Sequence, residues 1–177
     1  MHDSSGSSEF AGSPEATGGS APLSGAERQA VDAVLGASRA LVAVAARSLA
    51  EVGEDVTLAQ YRALVVLAIR GPRGLAGLAE ALAVGPSTAT RMCDRLVRKG
   101  LVTRTEDDAD RRQVRIACTP AGEQLVAEVT ARRRAEIARL LAPISPRDRD
   151  ALVEALHRLA EAAGEPTEEA WPSGWDL

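Results

Sequence analysis

Pro86-Ser87-Thr88-Ala89-Thr90-Arg91-Met92-Cys93-Asp94-Arg95-Leu96-Val97-Arg98-Lys99-Gly100-Leu101-Val102-Thr103-Arg104 is the stretch on which the fold turns. Pro86 suits the first turn of a helix, where the N–H it lacks would be unpaired anyway, and Gly100 stops that helix. Ala89, Met92, Cys93, Leu96 and Val97 recur at steps of three and four and form a buried stripe. Ser87, Thr88, Arg91, Asp94, Arg95 and Arg98 fall on the opposite face. Small hydroxyl residues lead and long cations follow, an order that suits a helix N-terminus approaching phosphates and guanine edges. The plainer reading of the same face is an ordinary solvated helix surface.

The neighbours of this helix favour the first reading. Upstream, Leu75, Leu78, Ala79 and Leu82 make a short helix, and Ala83-Val84-Gly85 make a tight connection. Before it, Thr57-Leu58-Ala59-Gln60 is a capping box that opens a helix through Tyr61, Leu64, Val65 and Ala68, broken by Gly71-Pro72. Downstream, Leu101 to Arg104 is strand-like, residues 105–112 are highly charged, and Val114, Ile116 and Cys118 alternate with Gln113, Arg115 and Ala117. That period of two predicts a β-hairpin with a charged tip. Two helices joined by a few residues and followed by such a hairpin describe a winged helix-turn-helix, whose second helix enters the major groove of DNA.

Outside this lobe, apolar steps from Val31 to Leu49 predict one long amphipathic helix, ended by Gly53. Thr119-Pro120 and Ser145-Pro146 each place an N-cap before a proline and start the last two helices. The expected fold is mainly α with a small β-hairpin wing. A winged helix-turn-helix lobe spans about 57–118, and a helical dimerisation layer spans about 26–52 and 120–163. The first helix and the last two carry more apolar surface than one small lobe can cover, so a second copy is expected to bury it. Residues 1–25 contain 15 Gly, Ser, Pro or Thr and are expected to be a disordered tail. Residues 165–177 read as an acidic tail whose Trp171 and Trp175 are either loose or docked on a partner or on the chain itself.

A length of 177 residues, 45% of them hydrophobic, suffices for one domain. The net charge of −4 seems to argue against a nucleic-acid partner, but it is an average over unlike parts. The two ends hold seven acidic residues and no Lys or Arg, so the stretch between them keeps all 21 basic residues against 18 acidic ones. That excess of three lies within residues 86–115. Arginines at a hairpin tip suit the narrow, electronegative minor groove, so Arg104, Arg111 and Arg112 are the candidate wing contacts. Asp110 would orient Arg112, or equally Arg111, through a charge-assisted hydrogen bond.

Several classes are disfavoured. No apolar run approaches the roughly 18 to 20 residues of a bilayer span, and no signal peptide opens the chain, so a cytoplasmic protein without a membrane partner is expected. Cys93, Cys118, His2 and His157 are too few for a disulfide framework or a zinc site, and both thiols read as structural. Gly71, Gly74 and Gly77 fit no phosphate loop and His157 has no catalytic company, so neither an enzyme nor a cofactor is expected. The alternative function is a winged-helix module for protein contacts without specific DNA binding.

Taken in order, Thr57-Leu58 with Gln60-Tyr61 and Leu64, Leu78-Ala79 with Leu82, Pro86-Ser87-Thr88, Asp94-Arg95-Leu96-Val97, Lys99-Gly100-Leu101-Val102, Asp107 with Asp110-Arg111-Arg112, and Thr119-Pro120-Ala121-Gly122 resemble the multiple antibiotic resistance regulator (MarR) family. The resemblance covers about residues 26–163. It implies an obligate homodimer with two winged lobes on an inverted-repeat operator in double-stranded DNA. It also implies repression relieved by a small phenolic or other lipophilic anion, or by oxidation of a cysteine. No cysteine lies between residues 26 and 56, where thiol-sensing members need one, so ligand sensing is the expectation. Tyr61, the only aromatic residue of the body, is either a core residue or part of the pocket expected between dimer layer and winged lobe.

Overall fold

The computed structural model describes residues 22–52, 55–106 and 114–165. Most of the N-terminal tail, the wing tip with Asp110, Arg111 and Arg112, and the end with Trp171 and Trp175 lie outside the described residues. The elements run α1 (Gly25–Ala50), α2 (Leu58–Arg70), β1 (Arg73–Gly74), α3 (Leu75–Ala81), α4 (Pro86–Arg98), β2 (Val102–Glu106), β3 (Val114–Cys118), α5 (Pro120–Leu141) and α6 (Pro146–Ala162). The chain divides into two compact units, residues 1–36 and 37–177, with the boundary inside α1.

In the first unit, helix formation begins within the stretch expected to be tail. Ser24 accepts from the Glu27 backbone N–H at 3.3 Å, and the Glu27 carboxylate accepts from the Ser24 N–H at 2.7 Å. This reciprocal cap satisfies two N–H groups that a helix start leaves unpaired, which is why order reaches back past Gly25. Hydrogen bonding from the Ser24 backbone N–H, and then from its hydroxyl, holds the Glu27 carboxyl below its usual pKa. Val31, Val34 and Leu35 stay exposed.

No unbroken apolar run in α1 approaches the length of a bilayer span, as expected. An 18-residue window of α1, with mean hydropathy 1.4, is long and apolar enough by length and composition to cross a membrane. Uninterrupted apolar runs miss it because Ser38 and Arg39 divide a segment otherwise rich in Ala, Val and Leu.

The second unit is organised around the winged lobe. Thr57 and Gln60 form the expected capping box, at 3.2 and 3.1 Å, and Tyr61, Leu64 and Leu67 of α2 point inward. The turn from α3 to α4 passes through Ala83 at φ 52°, and Pro86 occupies the first turn of α4. Gly100 adopts φ 69° after the end of α4, and the N–H groups of Gly100 and Leu101 reach back to the carbonyls of Val97 and Leu96. Glycine enters that left-handed conformation without the steric cost of a Cβ, so the chain leaves the helix directly into β2.

β2 and β3 form the expected hairpin, paired antiparallel from Val102 with Cys118 to Glu106 with Val114. The sheet has a third strand that the sequence pattern does not reveal. β1 pairs with the outer side of β3, Arg73 opposite Ile116 and Gly74 opposite Arg115. Leu64, Leu78, Cys93, Leu96, Ile116, Val126 and Val129 are fully buried together, so the core joins α2, α3 and α4 to the sheet and to the start of α5. Among the described residues α6 buries none, and Val153, Leu156 and Leu159 lie exposed along it.

Candidate nucleic-acid interface

The two faces of α4 fall as its spacing requires. Ala89, Met92, Cys93 and Leu96 are buried, Val97 is half-buried, and Ser87, Thr88, Arg91, Arg95 and Arg98 are exposed. Thr88, Arg91, Met92 and Arg95 form one wall of a groove of about 250 Å³, and Thr57, Ala59 and Gln60 at the start of α2 form the other. The first-turn N–H groups of α2 and the two arginines therefore present positive charge to one concave surface. Sequence reading found the α4 wall and missed the α2 wall, although the capping box already marked where α2 begins.

Asp94 has a specific partner. Its carboxylate accepts from the guanidinium of Arg104 on β2, which ties the recognition helix to the base of the wing. Both side chains remain about half exposed, at 46% and 45%, so the pair stays wet. Arg98 folds back along its own helix and donates from Nε to the Asp94 carbonyl at 3.4 Å. Among the described residues, Arg91 and Arg95 form no ion pair. Asp110, Arg111 and Arg112 lie outside the described residues.

Tyr61 packs in the core. It is 4% exposed, and its hydroxyl lies 3.2 Å from the Thr130 hydroxyl on α5. It also lines a cleft of about 280 Å³ with Val42, Ala45, Leu58, Arg62, Val65 and Arg133. The Arg133 Nε is buried without a hydrogen-bond partner among the described residues. Sequence reading passed over Arg133 because Arg132-Arg133-Arg134 looks like a solvated run. Successive helix positions point about 100° apart, however. Arg132 pairs with Glu51 at 2.6 Å while Arg133 faces the cleft.

Burial pushes the Cys118 thiol up to about 12 and raises that of Cys93 as well. Cys118 donates its S–H to the Leu64 carbonyl at 3.6 Å. Burial disfavours the reactive thiolate at both positions. Among the described residues no group of three or more His, Cys, Asp or Glu is placed to hold a metal ion.

A helix-turn-helix, a sheet-borne wing and a cationic, hydroxyl-led face on the second helix define a winged-helix DNA-binding regulator. The MarR family profile matches residues 56–114. The chain is 35% identical over 113 residues to the HTH-type transcriptional repressor MdtR of Bacillus subtilis, covering 62% of this chain and 71% of the relative. Its fold is similar to RV1404 from Mycobacterium tuberculosis, with TM-score 0.76 and 43% identity over 82% of this chain and 99% of the other. It is also similar to Bordetella bronchiseptica BpsR, whose DNA binding is regulated by 6-hydroxynicotinic acid, with TM-score 0.59 and 26% identity over 79% and 98% of the two chains. The chain belongs to the MarR family of transcriptional regulators and is not an enzyme.

Proposed function

We propose that this regulator works in the cytoplasm as a homodimeric repressor on an inverted-repeat operator and leaves the DNA when a small aromatic acid binds. The observation that carries this reading is the row Ser87, Thr88, Arg91 and Arg95, exposed on α4 above the groove shared with α2. Thr88 and Arg91 would enter the major groove first, Arg95 and Arg98 would reach base edges or backbone, and the α2 N-terminus would take a phosphate. Arg111 and Arg112, with Asp110 as orienter and Arg104 at the base, would place the wing in the minor groove. A second copy would cover the exposed apolar residues of α1 and α6 and set two half-sites about one helical turn, roughly 10 bp, apart.

The ligand reading is supported by the Tyr61 cleft. Its walls are mostly apolar, and Arg62 and Arg133 bring guanidinium groups to them, which suits a flat ring bearing a carboxylate or phenolate. That chemistry matches the hydroxylated aromatic acid named for BpsR.

Fragments selected from the host genome by the protein should contain an inverted repeat, and 6-hydroxynicotinate or salicylate should weaken that binding. Arg95→Ala should cost about 1–3 kcal/mol on the selected site if the side chain reads a base, whereas Arg112→Ala should weaken binding without dissociating the dimer. Unchanged affinity in both variants at fixed salt would overturn the assignment.

A further inference from the structure

A second cavity, of about 420 Å³, lies where the chain leaves α6 and meets α2, β1 and α3. Its lining is polar and rich in guanidinium: Arg62 and Arg70 from α2, Arg73 from β1, with Glu80 from α3 and Glu165 beyond α6. The three arginines are unequally satisfied. Arg62 pairs with the Glu165 carboxylate, and Arg70 donates to the Gly164 carbonyl at 3.1 Å. The Arg73 Nε is buried with no hydrogen-bond partner among the described residues.

With Arg62 matched by Glu165, Arg70 and Arg73 outnumber Glu80 inside one concave space. A buried guanidinium N–H without an acceptor is costly, and planar guanidinium forks pair bidentately with carboxylate or phosphate. The volume falls in the range of small-ligand sites, roughly 300–1,000 Å³. Glu80 sets a threshold, since a singly charged anion gains little beside it while one with two or three charges engages both Arg70 and Arg73.

We propose that this cavity is a binding site for a small multivalent anion, a polycarboxylate or a phosphorylated compound, held by Arg70 and Arg73 with Arg62 at its rim. One wall is the end of α6 and the others belong to α2, β1 and α3, so the bound anion braces the α6 terminus against the lobe. The site shares Arg62 with the Tyr61 cleft but otherwise has its own lining and a different ligand chemistry.

Calorimetric titration and thermal unfolding of the full chain test this, with citrate, pyrophosphate and acetate compared at constant ionic strength in chloride. Citrate or pyrophosphate should bind saturably, one per chain, and raise Tm, and whichever binds more tightly separates carboxylate from phosphate chemistry. Acetate should do neither. Arg70→Ala and Arg73→Ala should each weaken binding at least tenfold, and Arg91→Ala on α4 should leave it unchanged. Arg70 is exposed, so its variant keeps the test available if Arg73→Ala unfolds. Equal titrations in all variants would overturn the site. So would binding that appears only after residues 166–177 are deleted, which would assign the cavity to the chain's own carboxylates. Loss of DNA affinity in Arg70→Ala without any added anion would assign it to a backbone phosphate and equally overturn the proposal.

Discussion

Gly122 shows how one absent side chain holds two elements together. A Cβ built at this position would lie 2.2 Å from the Leu101 carbonyl oxygen, a backbone atom fixed where β2 begins. The same corner is bonded by Thr119, whose N–H donates to Leu101 at 3.1 Å and whose hydroxyl donates to the Gly100 carbonyl at 2.6 Å. Gly122→Ala should therefore destabilise the protein by about 1–3 kcal/mol, the usual range for overpacking, read from urea or thermal unfolding. Gly77, inside α3 with nothing within 4 Å of its Cβ position, is the control. Ala there should stabilise by about 0.5–1 kcal/mol through helix propensity. Loss of stability at both positions would mean that the close approach to Leu101 is not what demands glycine. Cys118 supplies a pH dependence. Its folded pKa of about 12 lies above the ordinary thiol value of 9.0, so its contribution to stability is complete below about pH 9 and declines as pH rises toward 12. Alkylation by iodoacetamide at pH 8 should accordingly be slow in the native chain and fast in urea, and equal rates would contradict the burial.

The tie between α4 and β2 belongs to the scale of elements. Asp94 places a negative charge within an otherwise cationic face and occupies Arg104. Because the pair is half exposed, Asp94→Asn should cost less than about 1 kcal/mol of stability. The same change frees one cation beside the proposed DNA interface, so non-specific affinity at low salt should rise and the salt dependence steepen by about one counterion. A several-fold fall in affinity would instead show that the pair positions the wing. Elements with such chemistry at their ends were legible in sequence. Thr57 and Gln60, Pro86 and Gly100, Thr119 and Pro120, and Ser145 and Pro146 marked helix boundaries because capping is local. β1 left no pattern because two residues cannot show a period, and its pairing with β3 joins positions some 40 residues apart. Ser24 and Glu27 were hidden in a Ser- and Gly-rich context that reads as tail. Arg133 was hidden because exposure in an arginine run depends on which way each turn of α5 faces.

At the scale of the whole molecule, the single chain leaves α6 without a buried residue while Val153, Leu156 and Leu159 follow one another along it. A surface helix normally buries its apolar stripe against something, and here a second copy is the proposed cover. In the proposed two-fold dimer every substitution counts twice. Burying a leucine contributes roughly 2 kcal/mol, so Leu156→Asp removes about 4 kcal/mol from the dimer before any cost of burying the carboxylate, which corresponds to roughly a thousandfold weaker association. Sedimentation should then show monomers at concentrations where the parent chain is dimeric. Affinity for a two-half-site operator should fall with it, because a monomer engages only one α4 at a time and loses the local concentration that the second lobe provides. The lobe itself should survive, since Leu64, Leu96 and Ile116 are buried within one chain. Its far-UV circular dichroism and its weak binding to a single half-site should both persist. A Leu156→Asp chain that remains dimeric and binds the operator normally would remove α6 from the interface and leave its apolar stripe to another partner.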